Sequence, residues 1–241
     1  MSEPTTTTVR PGIAGLVPDA EERRAGRTWL LPWAGERGWW RTPALLVAVL
    51  GGVRAVLLVV SHRPWFMNDS AEYLLLVDDL YVLRTRPPGV SVLWRADLAV
   101  WHSVNSIMAA QALLGVVGGL LLYLAAREIG LRSRAAFVVA LLGSCAPTVL
   151  FFERVLLAES LNYFLTVLTT WLLLVSLRTR STAAWATTGL VGALNVLVRT
   201  VAAIYLPVIG ILALVLTAGS VLRRLAVALA FSVAALVLLG G

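Results

Sequence analysis

Apolar runs near 20 residues long recur along this chain, and only short Arg-containing stretches separate them. About 20 apolar residues in a helix, at 1.5 Å each, cross the ~30 Å of a bilayer's hydrocarbon core. The runs fall at 43–60, 106–126, 135–152 (with Pro147 as a kink), 156–177, 184–198, 201–217 and 225–239. The fifth is short, and only Arg199 and Thr200 part it from the sixth, so the two form either a tight hairpin or one broken helix. The expected fold class is therefore all-α: a polytopic integral membrane protein with six or seven transmembrane helices.

Composition excludes the soluble alternatives. The chain is 59% hydrophobic and 14% charged, whereas soluble domains carry about 25% charged residues. All 20 basic residues are Arg and the net charge is +7. In a soluble chain that balance would suggest nucleic acid; here the positive-inside rule accounts for it, and no nucleic-acid partner is expected. The single Cys145 rules out an internal disulfide framework and a Cys-based metal site. Residues 1–28 are polar, with a Thr run, and read as a disordered cytoplasmic tail without signal-peptide character. Residues 29–41, rich in Trp and Arg, read as an interfacial collar. The rest of 29–241 forms the transmembrane module.

Arg counting orients the module. With the N-terminus inside, thirteen Arg fall on the cytoplasmic side and six outside, and Arg54 lies within the first span. The same topology puts Asp69, Glu72, Asp78, Asp79, Asp97, Glu153 and Glu159 on the outer side. Acids contribute little to orientation, so their clustering needs a separate cause.

The only long connection between spans is the outer loop 61–105. Ala71, Leu74, Leu75, Asp78 and Val82 have helical spacing, as do Val90, Leu93, Trp94, Leu98 and Trp101. Between them Arg84-Thr85-Arg86-Pro87-Pro88-Gly89 breaks the helix. The loop is expected to be two interfacial helices roofing a cavity, with the active site in this segment. Asp69 opens the first helix, either as an N-cap in a capping box with Glu72 or as a general base held at the surface.

Asp69-Ser70-Ala71-Glu72-Tyr73, Arg86-Pro87-Pro88-Gly89 and Leu93 together resemble the first outer loop of GT-C superfamily membrane glycosyltransferases. The similarity is to the branch using polyprenyl- or dolichyl-phosphate sugars, which includes protein mannosyltransferases and lipid A aminoarabinose transferases. It continues at Phe152-Glu153-Arg154, Glu159-Ser160-Leu161 and Leu197-Val198-Arg199, and covers roughly residues 43–217. Val90-Ser91 stands where Tyr-Pro is usual in the family, and Thr200 where Pro is.

The resemblance implies inverting transfer of a sugar from a polyprenyl-phosphate carrier to an acceptor hydroxyl at the outer face. A carboxylate must take the hydroxyl proton, and Asp69 is the candidate. A cation must stabilise the departing phosphate. Arg199, between apolar segments, is the first candidate, with Arg86 and Arg154 behind it; each could instead be an Arg meeting lipid headgroups. Glu72, Tyr73, Glu153 and Glu159 are candidate acceptor-binding or supporting residues. Glu159 could hold the acceptor, a divalent cation or Arg199; Glu153 could form a surface pair with Arg154. No cofactor is implied beyond that divalent cation. Arg54 reads as a buried partner for a Glu, an Asn or a backbone carbonyl. Gly51-Gly52 and Gly118-Gly119 are expected to allow close helix packing.

Two other classes stay open: a transporter or lipid flippase, and a non-catalytic subunit of the same fold. The chain stops directly after an apolar run, which suggests a missing C-terminal region or a partner subunit. All-Arg usage points to a GC-rich genome and hence a bacterial inner membrane.

Overall fold

The computed structural model describes residues 39–78, 86–217 and 220–239. The tail expectation for 1–28, and the collar before Trp39, lie outside these residues. Among the described residues the regular structure is helical, apart from one isolated bridge between Trp65 and Val155. The elements are α1 (Arg41–Val60), α2 (Asn68–Asp78), α3 (Gly89–Trp101), α4 (Val104–Glu128), α5 (Ser133–Ser144), α6 (Pro147–Phe152), α7 (Glu159–Thr179), α8 (Thr182–Val198), α9 (Tyr205–Leu216) and α10 (Val221–Leu239). Among the described residues three helices, α1, α4 and α7, are long and apolar enough to cross a membrane by length and composition. Shorter apolar helices lie at Ser133–Ser144, Thr182–Val198 and Thr200–Leu216.

Local chemistry sets several boundaries. Ser103 caps α4 by accepting from the Asn105 N–H, and Ser181 caps α8 by accepting from that of Ala184. Pro147 starts α6, because its ring tolerates a first helical turn but not the interior of α5. The third run is thus two helices rather than one kinked span. A 3₁₀ segment at Thr200–Ile204 joins α8 to α9 after Arg199, whose backbone is extended. A Cβ on Gly192 of α8 would lie 2.9 Å from the Leu206 side chain of α9. Residues 14 positions apart on a continuous helix would be about 21 Å apart. The chain therefore turns back at Arg199 as a hairpin, and α10 packs onto the pair through Trp185, Ile209, Val227 and Phe231.

The loop helices occupy 68–78 and 89–101, the first starting earlier than the periodicity suggests. Tyr73, Val77, Val90 and Trp94 share one buried cluster with Ile107, Leu165 and Val198, so α2 and α3 pack down on α4, α7 and α8. The Ser91 hydroxyl donates to the Tyr73 carbonyl at 3.0 Å and locks α3 to α2. Gly89 is required where it stands: a Cβ would lie 2.6 Å from the Leu197 carbonyl oxygen. Gly119 likewise admits Leu50 and Ser144, but Gly51 and Gly52 have nothing within 4 Å of an added Cβ. The packing expectation holds for Gly118-Gly119 and fails for Gly51-Gly52.

Segment 153–158 departs most from the sequence reading. It is not an exposed outer turn, since Glu153 through Ala158 are all buried. Irregular backbone at such a place has to be paired inside the protein. Trp65 N–H donates to the Arg154 carbonyl and Leu156 N–H to the Trp65 carbonyl. Gln111 Nε2 of α4 donates to the carbonyls of Val155 and Leu157, both at 3.2 Å.

Arg54 finds its partner on this segment. Its Nη2 lies 2.6 Å from Glu153 Oε1, and both side chains are 2% exposed. The same nitrogen donates to the Ser144 carbonyl and hydroxyl, and that hydroxyl donates to the Gly115 carbonyl. Glu153 thus pairs across the bundle with Arg54 rather than at the surface with its neighbour Arg154. An intramembrane charge is the costlier one to leave unpaired.

At one end of the bundle Glu128 of α4 pairs with Arg178 of α7 at 2.8 Å, and Arg223 donates to the Arg180 carbonyl. These are residues that the Arg bias assigns to the cytoplasmic side. For the α1–α2 connection to face outward, a Cys at exposed Arg63, in a Cys145→Ala background, should react with a membrane-impermeant thiol reagent in intact cells. A Cys at Ile129 should not; reversed labelling would invert the topology.

Breaking the buried pair from one side should cost about 3–5 kcal/mol, because the partner charge stays buried. We expect Arg54→Met and Glu153→Met each to lower the thermal unfolding temperature of the purified protein. The double variant should recover most of the loss. Equal, additive losses would show that the pair is not coupled.

Candidate functional site

The first two turns of α2 carry Asp69, Glu72 and Tyr73 towards the Arg86-Pro87-Pro88-Gly89 turn. Asp69 is not the cap of this helix. The Ser70 hydroxyl accepts from the Met67 N–H at 2.9 Å, which leaves the Asp69 carboxylate for a different partner. That partner is Arg86, whose Nη2 lies 2.7 Å from Asp69 Oδ1 and whose Nε lies 2.6 Å from Glu72 Oε2. One guanidinium fork thus spans two carboxylates, as its planar geometry favours. The hydrogen bond to Glu72 is the main reason the Arg86 pKa is raised, and Asp69 adds to it. The guanidinium carbon also sits 5.9 Å from the centre of the Tyr73 ring.

A second acid–arginine pair stands beside the first. Glu159, at the start of α7, accepts from Arg199 Nη1 at 2.7 Å. Of its three expected roles, holding Arg199 is the contact observed. Arg199 is 41% exposed, and no other hydrogen bond to its guanidinium is present among the described residues. Its position follows from the end of α8: the extended backbone at 199 turns the side chain out of the helix towards α7.

Tyr73 links the two pairs. Its ring is buried edge-on against Trp94, with centroids 6.0 Å apart. Burial pushes the phenol above its usual pKa. Arg86 and Arg199 act to lower it, while Glu159 and Asp69 act to raise it. All four charges therefore reach one phenol. Six of the residues singled out in the sequence, Asp69, Glu72, Tyr73, Arg86, Glu159 and Arg199, converge at one end of the bundle.

Arg154 and Glu153 do not join them. Arg154 is 4% exposed, not an outer-surface arginine. Its contacts are the Met108 sulfur at 4.0 Å and the Arg54 carbonyl at 3.4 Å. The physical reason is the burial of 153–158, which turns both side chains inward. Gln111, Asn162 and Tyr163 escaped the sequence reading, since single neutral polar residues in an apolar run carry no positional signal. Among the described residues no group of three or more His, Cys, Asp or Glu is placed to hold a metal ion. Asp78 is exposed, and Asp79 lies outside the described residues.

Comparison with known proteins adds a family. Residues 85–240 match the family described as dolichyl-phosphate-mannose-protein mannosyltransferase. The matched stretch includes Arg86, Glu153, Arg154, Glu159 and Arg199, and begins after Asp69, Glu72 and Tyr73. No curated protein matches the chain. No solved structure matches it either. The apolar helices and this match together make the chain an integral membrane protein of the GT-C glycosyltransferase type, a member of the dolichyl-phosphate-mannose-protein mannosyltransferase family.

Proposed function

We infer that the chain transfers a sugar from a polyprenyl-phosphate carrier to an acceptor hydroxyl, with inversion, at the outer face of a bacterial inner membrane. The observation that carries this reading is the pair of acid–arginine contacts, Asp69/Glu72–Arg86 and Glu159–Arg199, flanking Tyr73 within a chain of this family. Arg199 supplies the phosphate site. Its one guanidinium hydrogen bond among the described residues leaves most of the fork for phosphate oxygens. Asp69 supplies the base. Arg86 engages Oδ1, and Oδ2 is left to accept the acceptor's hydroxyl proton. The acceptor oxygen bonds to the anomeric carbon as the carbon–phosphate-oxygen bond breaks. The electron pair leaves on the phosphate, which Arg199 stabilises. A single displacement of this kind inverts the anomeric centre and needs one base. Glu72 and Arg86 hold Asp69 in place, and Tyr73 packs beneath them.

Asp69→Asn should lower sugar transfer by about 10²–10⁴. The measurement is incorporation from a radiolabelled polyprenyl-phosphate sugar into membrane acceptors. The fold should persist, because the lost pair is half-exposed and such pairs contribute about 0–1 kcal/mol. Wild-type turnover by the folded variant, under conditions where chemistry limits the rate, would remove Asp69 from the mechanism.

Arg199→Lys keeps the charge and loses the planar fork, so donor affinity should fall. Arg199→Leu should weaken it further, by roughly 10- to 100-fold, as expected for lost charged hydrogen bonds. Direct binding of a polyprenyl phosphate in nanodiscs checks both. Unchanged affinity in Arg199→Leu would reduce Arg199 to an anchor for Glu159.

A further inference from the structure

Beside the Glu159–Arg199 pair, between α4, α6 and the start of α7, lies a cavity of about 210 Å³. Its wall includes Gly115, Phe152, Glu153, Glu159, Asn162 and Tyr163. Two polar atoms of these residues, Glu159 Oε2 and Asn162 Oδ1, are withdrawn from solvent with no hydrogen-bond partner among the described residues, and the Tyr163 hydroxyl, whose neighbour is Ser144, stands on the same wall. Buried polar groups are nearly always paired, so two orphan acceptors on one cavity wall point to something that fills it. Glu153 is not among them, since Arg54 already engages it.

The orphan set selects the occupant's chemistry. Both orphan atoms only accept hydrogen bonds, and the Tyr163 hydroxyl beside them can accept or donate. An aliphatic chain would leave both orphans unpaired. An anion would face the Glu153 and Glu159 carboxylates. A divalent cation wants several oxygen ligands, including charged ones, and no cluster of three acidic or His ligands occurs among the described residues. A neutral ring bearing several hydroxyls satisfies the acceptors through its O–H groups, and the Phe152 and Tyr163 rings offer apolar faces to its C–H groups. A cavity of about 150 Å³ admits benzene, so this one has room for a six-membered sugar ring.

Glu159 ties this cavity to the phosphate site. One oxygen accepts from Arg199 at 2.7 Å, and the other is an orphan of the cavity wall. A phosphate on Arg199 and a ring in the cavity would thus be adjacent, as they must be in a sugar phosphate. The geometry points to this cavity as the subsite for the sugar ring of the lipid-phosphate donor, a reading that rests on Arg199 as the phosphate ligand.

The test compares binding of bare polyprenyl phosphate with polyprenyl phosphates carrying mannose, glucose, galactose or arabinose, to the full chain in nanodiscs. The wild type should bind at least one sugar-bearing carrier more tightly than the bare one. Asn162→Leu and Tyr163→Phe should each cut that preference by about 3- to 10-fold, the worth of one hydrogen bond. Both should keep the wild-type affinity for bare carrier, which also reports their folding. Arg199→Leu should weaken bare and sugar-bearing carriers alike. A wild type without preference for any of the sugars, or a preference that survives in both variants, overturns the subsite and leaves the cavity to water. If no carrier binds the wild type, bare or loaded, the donor reading itself falls and the subsite goes with it.

Discussion

The buried Arg54–Glu153 pair is the contact on which the rest of this bundle depends. An arginine in the middle of an apolar helix is tolerated only with a partner, and its partner here lies 99 positions away. Meeting that requirement draws 153–158 into the interior and brings Ser144, Gly115 and the carbonyl of Leu50 around one guanidinium. Four parts of the chain, α1, α4, α5 and the link after α6, are thereby fixed at a single point. No side chain but glycine fits at 115, because a Cβ there would overlap the Glu153 carboxylate.

The same burial shapes the floor of the site. With 153–158 held inward by Gln111 and Trp65, α7 begins at Glu159, and its first turn faces α2 and the end of α8. The α2–α3 pair then closes over Val155, Leu156 and Leu157 through Tyr73 and Trp94. Charged groups are kept to the rim of this apolar cluster, where Coulomb attraction is useful and desolvation is less costly than in the core.

Much of this was readable from residues alone, and the failures have identifiable causes. The apolar runs located the helices because a bilayer sets their length. Pro147 announced a break, since proline fits a helix start better than an interior. Arg54 announced a buried acceptor by its cost, but nothing in the pattern chose Glu153 among the outer acids. Adjacency made Arg154 look like its mate, although consecutive residues project in different directions. Asp69 matched a capping box, and only the three-dimensional structure shows Ser70 bonding the Met67 N–H while Asp69 pairs with Arg86. The hairpin at Arg199 could not be told from a broken helix, because both have the same apolar pattern. Asn162 was invisible because its meaning lies in an unpaired oxygen on a cavity wall, which a sequence does not display.

The contact of Gly89 with the Leu197 carbonyl bears on the order in which the molecule can be made. The acidic side of the site and its second arginine stand about 130 residues apart in the chain. At synthesis rates of about 5–20 residues per second, that separation corresponds to roughly 6–26 s. During this interval Asp69 and Glu72 exist without α8, and Arg86, supplied by their own loop, is already at hand to neutralise them. The local fork lets an unfinished membrane protein wait with its carboxylates satisfied, and arrival of α8 then completes a surface whose first half was already in order.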